Sequence, residues 1–332
     1  MTLARNIIGQ NRSLALLSSF IINGAIPHAF LFSGPDGVGK KTVARLLAMA
    51  LNCLNPPARQ NSAGISEMYC GQCRACYLID ADKHPDVSHL KPEGAAIKVD
   101  QIRRLIDELL LKPVEARTRV VVMQDVHKMN ANAANALLKT LEEPYPNTVF
   151  VLTAPTETEV LPTILSRCQR VAFNPLQAKD LHALLDNDAP ADTNWEHLTY
   201  LAGGSLTRAR ELLTPLTRQR RTWLLSEMAA LPKASPARLL SLANELNKSK
   251  QTLAADLEVM LSYLRDLAAL KISAPNVIND AFLPQLQYNS NLYSLKDLNA
   301  KLNLLQTAVV QLTNPANTNP RLGLEYLLFA LQ

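Results

Sequence analysis

Short, near-continuous apolar runs alternate with amphipathic stretches through the first half of the chain. Ala29–Ser33 (AFLFS), Val120–Met123 (VVVM) and Thr148–Thr153 (TVFVLT) show little polar alternation, the pattern of strands buried on both faces of a parallel sheet. Between them lie Lys41–Asn52 and Asn132–Glu143, where apolar residues recur at helical spacing. Strand and helix in alternation predict an α/β domain whose parallel sheet carries helices on both sides. From about Pro175 the strand patterns stop. Asn174–Leu213 reads as helix interrupted at Gly203-Gly204, and Arg218 to Gln332 as helix throughout, broken at Pro232, Pro236, Pro275 and Pro284. Three parts are expected: an α/β domain over 1–174, a small helical domain over 175–217 and a larger helical domain over 218–332. No internal repeat or low-complexity segment breaks this order.

Composition narrows the class without naming a chemistry. The 332 residues, 48% hydrophobic and 19% charged, exclude wholesale disorder. No apolar run approaches the roughly 18 to 20 residues of a membrane helix. The opening MTLARNIIGQNR lacks the apolar core and cleavage site of a secretion signal, so a cytoplasmic protein is expected. A formal net charge of +5 permits nucleic-acid contact without requiring it, and 5% aromatics give no base-stacking platform. Arg208, Arg210, Arg218, Arg220 and Arg221 form a basic cluster that suits DNA, although such runs are more often solvated helix faces.

The first strand leads into Gly34-Pro35-Asp36-Gly37-Val38-Gly39-Lys40-Lys41-Thr42 and then directly into a helix. Strand, glycine-rich loop and helix N-terminus are the context of a phosphate-binding P-loop. Backbone N–H groups cradle the phosphates, Gly34, Gly37 and Gly39 permit close approach, and Lys40 neutralises charge. The next residue should be Ser or Thr, whose hydroxyl holds Mg²⁺. Here it is Lys41, a cation that repels the metal, and Thr42 is rotated about 100° around the helix. The second metal-supporting motif is also altered. A working strand of this kind ends in Asp-Glu, and Arg119–Asp125 (RVVVMQD) places Gln124 and Asp125 there. A register shifted by one would make Asp125 the metal ligand, and Val126 would then leave no catalytic glutamate.

The five cysteines are Cys53, Cys70, Cys73, Cys76 and Cys168. Cys70-x-x-Cys73-x-x-Cys76 with Cys53 upstream suits a tetrahedral Zn²⁺, closed and therefore structural, pinning the loop Asn55–Met68. His84 is a rival for one ligand position. A zinc-dependent DNA-binding module would need basic or aromatic residues among the cysteines, and Arg74 alone offers that.

Two further strings stand in order with these motifs: Asn135–Pro144 (NALLKTLEEP) and Leu161–Cys168 (LPTILSRC). Over roughly Ile7 to Arg208 the combination resembles the bacterial DNA polymerase III clamp-loader subunits tau, gamma and delta-prime, of the AAA+ class. The last third matches only in size and character. The resemblance implies a RecA-like AAA+ domain over 1–174 with a zinc-binding insertion at about 53–76, a helical lid over 175–217 and a helical collar for oligomerisation over 218–332. It implies that Arg167, within Ser166-Arg167-Cys168, acts in trans as an arginine finger on a neighbour's nucleotide, with Cys168 packing beside it. Ile7-Ile8-Gly9-Gln10 resembles the family's adenine-side segment. The lid helix of the family carries Gly-Ser-x-Arg, whereas Gly204-Ser205-Leu206-Thr207-Arg208 puts Thr207 at the expected position and Arg208 one residue late.

All three departures fall on this chain's own nucleotide site and spare Arg167. That pattern, and the absence of the extra C-terminal sequence of tau and gamma, resembles the delta-prime branch; the alternative is an active tau/gamma-like ATPase. The expected work is to assemble with tau/gamma and delta, as a component of DNA polymerase III holoenzyme. The assembly would help load the sliding beta clamp onto primed DNA. The chain itself is expected to lack ATPase activity, with Zn²⁺ as its cofactor and no membrane partner.

Overall fold

The computed structural model describes residues 7–57, 65, 68–191, 193–274, 277–312 and 320–332. Most of the loop expected over Asn55–Met68, and the helix break expected at Pro275, lie outside the described residues. The chain divides into two compact units, Met1–Leu212 and Leu213–Gln332.

In the first unit five strands form one parallel sheet: β1 (Ala29–Ser33), β2 (Val87–Leu90), β3 (Arg119–Met123), β4 (Thr148–Ala154) and β5 (Gln169–Ala172), in the order β2-β3-β4-β1-β5. Every residue of β1, β3 and β4 is buried. Alternate residues feed opposite faces, as the pleat requires. Phe30, Phe32, Val120, Val122, Val149 and Val151 join Leu17, Leu46 and Leu47 of α1 (Asn11–Ile22) and α2 (Lys40–Asn52) in one core. Leu31, Val121, Met123, Phe150 and Leu152 meet Leu105 and Leu137 of α4 (Val99–Leu110) and α5 (Ala131–Glu142) in the other. The helix α3 (Arg74–Asp80) packs on α2. The α/β class and the three apolar strands are as the hydrophobic pattern predicts.

The edge strands β2 (VSHL) and β5 (QRVA) were not visible in that pattern. Each has one sheet neighbour and runs for only four residues, two of them polar. After β5 the chain turns helical: α7 (Ala178–Leu185), α8 (Trp195–Ala202) and α9 (Leu206–Leu213), with Gly203 closing α8 in a left-handed conformation. A short α6 (Pro162–Leu165) precedes β5.

The second unit is helical: α10 (Pro215–Ala230), α11 (Pro236–Asn247), α12 (Lys250–Lys271), α13 (Leu283–Ser290), α14 (Leu295–Leu312) and α15 (Pro320–Leu331). Pro236 and Pro284 sit in the first turn of their helices, where a missing N–H costs nothing, and Ser235 caps α11 through the Arg238 N–H. Leu224, Leu257, Met260, Leu305 and Leu328 lie in one core. Inside it Asp266 is fully buried and accepts the N–H groups of Ile278 (3.1 Å) and Asn279 (2.8 Å) and the Asn279 side-chain amide (2.7 Å). Among the described residues no helix is long and apolar enough to cross a membrane.

One buried carboxylate fixes the approach to β3. Asp86, 4% exposed, accepts the N–H groups of Val114, Glu115 and Ala116, each at 2.8 Å, and so ties the α4–β3 connection to the start of β2. Burial acts to raise its pKa, but these three donors outweigh it and hold the carboxyl below the ordinary aspartate value. Asp86→Ala leaves three donors without their acceptor and is expected to cost about 2 to 3 kcal/mol at pH 7. A depressed folded pKa stabilises above the unfolded value, so the gap between wild type and variant should shrink only as pH falls below about 4. Urea unfolding at pH 7 and in acid measures it; a gap that widens in acid contradicts the assignment.

Candidate functional site

The loop after β1 has the shape its sequence implies. Gly34, Gly37 and Gly39 have φ of 152°, 73° and 100°, and α2 starts at Lys40 with Gly39 as its N-cap. Lys40 is 8% exposed and folds back on the loop: its ammonium donates to the carbonyls of Gly34 and Pro35 (2.9 Å for Pro35) and pairs with Asp36 (3.3 Å). Burial lowers its pKa, while Asp36 and, at longer range, Asp125 favour the charged form. Lys41 is half exposed and turned to Asp82, 3.9 Å away. Asp82 also receives Arg45, at 2.9 and 2.8 Å, and lies 3.3 Å from His89. The position that would carry a magnesium-binding hydroxyl thus belongs to a small ionic cluster joining α2, β2 and the end of α3.

At the end of β3, Gln124 continues the ladder through its N–H to the Leu90 carbonyl (2.8 Å). Asp125 takes a left-handed conformation (φ 54°), donates its N–H to Thr153 Oγ1 (3.2 Å) and pairs with Lys128 (3.1 Å). The one carboxylate here is therefore engaged with a cation of the following turn.

The segment before α9 lies against the loop. A Cβ on Gly37 would stand 2.5 Å from Ser205 Oγ and 2.7 Å from Thr207 Oγ1, so only glycine allows this approach. The Leu206 N–H donates to the Gly37 carbonyl (3.3 Å). Thr207, not an arginine, thus meets the loop. A cleft of about 400 Å³ is lined by Ile7, Gly9, Asn174, Pro175, Lys179 and Asp180. Gln10 anchors its wall, donating to the Asn174 carbonyl (2.7 Å) and accepting the Asn174 N–H (3.1 Å).

The sulfurs of Cys53, Cys70, Cys73 and Cys76 lie within 4.8 Å of one another. A tetrahedron with metal–sulfur bonds of about 2.3 Å has edges of about 3.8 Å, so four thiolates fit around one ion with small adjustments. N–H groups already point at the sulfurs: Cys70 donates to Cys53 Sγ (3.2 Å), and Gln72 (3.5 Å) and Cys73 (3.3 Å) donate to Cys70 Sγ. Burial raises the pKa of Cys53 and Cys76. Burial acts the same way on Cys73, but the N–H groups of Cys76 and Leu54 and the neighbouring thiols outweigh it and bring that thiol to about 6. His84 stands apart, its Nδ1 accepting the Asp86 N–H at 3.2 Å. Arg74 pairs with Glu115 (3.2 Å).

Arg167 follows α6 on the turn into β5. Its guanidinium donates to Glu142, to the Thr163 carbonyl (2.9 Å) and to Ser166 Oγ (3.0 Å). Cys168 packs on the α5-side core, and burial pushes its thiol up to about 12. In the second unit, Arg220 pairs with Asp256 (2.9 Å) and stacks 4.4 Å from the Trp223 ring centre, while Arg221 donates to Asn279. Those two arginines are held by packing partners rather than presented as a solvated basic face.

The family model described as DNA polymerase III, delta subunit, matches residues 9–177, and that described as its C-terminal part matches 216–332. The chain belongs to the DNA polymerase III delta-subunit family. DNA polymerase III subunit delta' of Bacillus subtilis (strain 168) is 37% identical over 180 residues, which cover 54% of this chain and 52% of that protein. Its Pseudomonas aeruginosa counterpart is 39% identical over 211 residues, 62% of each chain. The chain thus spans about half to three fifths of the length of these relatives. Subunit tau of Escherichia coli (strain K12) is 29% identical over 97% of this chain and 52% of its own. Among solved structures, a DNA polymerase III gamma subunit-related protein of Thermotoga maritima shares the fold, with TM-score 0.51, 23% identity and 95% and 98% of the two chains covered. The parallel-sheet domain followed by helices is therefore the AAA+ fold of the delta-subunit family.

Two residues at this delta-family site escaped the sequence reading. Asp82 carried no motif; its role follows from a left-handed turn that no composition signal marks. Glu142 lies inside the quoted LEEP string, but its partner is 25 residues on and visible only in three dimensions. The cysteine group makes the sharpest prediction of this site. Protein purified without chelators should carry one tightly held metal ion per chain by elemental analysis. Cys76→Ser should abolish stoichiometric binding and lower the melting temperature. Full metal content in Cys76→Ser would contradict a four-sulfur site.

Proposed function

We propose that the chain works as a delta-prime-type subunit of a bacterial DNA polymerase III clamp loader: an architectural AAA+ subunit that supplies one arginine to its neighbour and hydrolyses no ATP itself. The observation that carries this reading is that Lys41, half exposed and turned to Asp82, and Gln124 stand where a loop that otherwise keeps its phosphate-binding form needs its two supports for Mg²⁺. Without the metal, β- and γ-phosphate charge is not neutralised and water is not positioned for attack. Loop, sheet and lid remain useful as shape. Residues 175–217 act as the lid and 218–332 as the collar through which the subunit joins tau/gamma and delta. The assembled complex opens the sliding beta clamp and places it on primed DNA in the cytoplasm.

The metal is Zn²⁺. Four thiolates at tetrahedral spacing suit a redox-inert ion with no open position, and its part is to fix the segment between α2 and α3. Arg167 lies on a turn rather than in a core, and a guanidinium brought to a γ-phosphate stabilises the charge that builds in the transition state.

In a complex reconstituted with tau/gamma and delta, Arg167→Ala should leave assembly intact and lower DNA-stimulated ATP turnover and clamp loading. One finger is worth about 10³ to 10⁵ at its own site, and the bulk loss is smaller because other sites keep theirs. Arg167→Lys should not rescue, since lysine lacks the planar fork. Equal loading by wild-type, Ala and Lys complexes would overturn the trans role.

A further inference from the structure

We propose that Glu142 is a positioning residue that parks Arg167 and so sets the ATP concentration at which the neighbouring site fires. This rests on the trans role of Arg167 and adds a control to it. The guanidinium is not extended into solvent: it is bound on three sides by its own chain, by the Glu142 carboxylate, the Thr163 carbonyl and Ser166 Oγ. Its Nε is buried without a partner, so the head is held by its two Nη groups alone.

Glu142 has its own reason to hold a cation. It is the last residue of α5, where unsatisfied carbonyls make the helix end negative and a carboxylate is unfavourable unless neutralised. The basic residue in that last turn is Lys139, which forms no ion pair with Glu142, whereas Arg167 reaches the carboxylate from the turn after α6. The Thr163 carbonyl likewise belongs to the short helix α6, whose last carbonyls lack helical partners. Arg167 thus satisfies two helix ends at once.

An arginine held this way can engage a phosphate only by leaving Glu142. A γ-phosphate brings more charge than one carboxylate and wins the exchange, but the cost of breaking the pair is subtracted from apparent ATP affinity. The pair is partly exposed, with Arg167 at 32% and Glu142 at 49%, so that cost is modest. It corresponds to about twofold to fivefold in ATP concentration. The device keeps the finger out of the interface until nucleotide is present.

The test uses the full chain, alone and in the reconstituted complex, with ATP as the probe. In the isolated chain, nitrogen-15 NMR of the arginine side chains, with Arg167→Lys to assign the signal, should show slow guanidinium rotation in wild type and fast rotation in Glu142→Gln. In the complex, Glu142→Gln should lower half-saturating ATP about twofold to fivefold, the effect falling on this value rather than on the maximal rate. Glu142→Asp, which keeps the charge, should lie between. Unchanged rotation, or an unchanged ATP requirement in a complex where Arg167→Ala lowers the maximal rate, overturns the parking while leaving the trans role standing. If Arg167→Ala has no effect on the rate, both fall together.

Discussion

The strands β3, β4 and β1 are buried on both faces, and that burial determines where every loop of chemical interest can lie. A parallel sheet covered by helices leaves only its strand ends open, and binding loops gather at the carboxyl ends. Here the loop after β1, the turn after β3 and Thr153 near the end of β4 meet at one edge. Thr153 Oγ1 accepts the Asp125 N–H, and Lys40 lies within reach of the Asp125 charge. Apolar contact in the middle of the sheet therefore holds the loop after β1 and the turn after β3 in place, whatever polar residues they carry.

The departures from the phosphate-loop pattern are local. Lys41 stands where a metal-binding hydroxyl is required and Gln124 where a carboxylate is, and Lys41 turns to Asp82. The fold does not register the change, because neither residue enters a core. The Gly37 contact shows the converse: Ser205 and Thr207 approach a backbone that only glycine can present, so α9 and the loop remain fitted to one another.

The central strands and their covering helices were legible because fully buried strands leave unbroken apolar runs. The phosphate loop and the Cys70-x-x-Cys73-x-x-Cys76 spacing were legible because their chemistry depends on residues close in sequence. The edge strands VSHL and QRVA were not, since one-sided pairing over four residues leaves no apolar run. Nor was the pairing of Arg167 with Glu142, or the Asp82 cluster, because ion pairs between distant segments leave no periodicity. The arginines at 220 and 221 cluster in sequence, but their acidic and amide partners across the helical unit lie 36 and 58 residues away and leave no mark in it.

The most direct measurement is phosphate release from Mg·ATP by the purified chain alone, followed under single-turnover conditions with the protein in excess. An architectural subunit whose magnesium supports are Lys41 and Gln124 should release phosphate no faster than buffer, with or without primed DNA. Release above background that disappears in Lys40→Ala would mean that the loop still works as a catalyst, and would contradict the account.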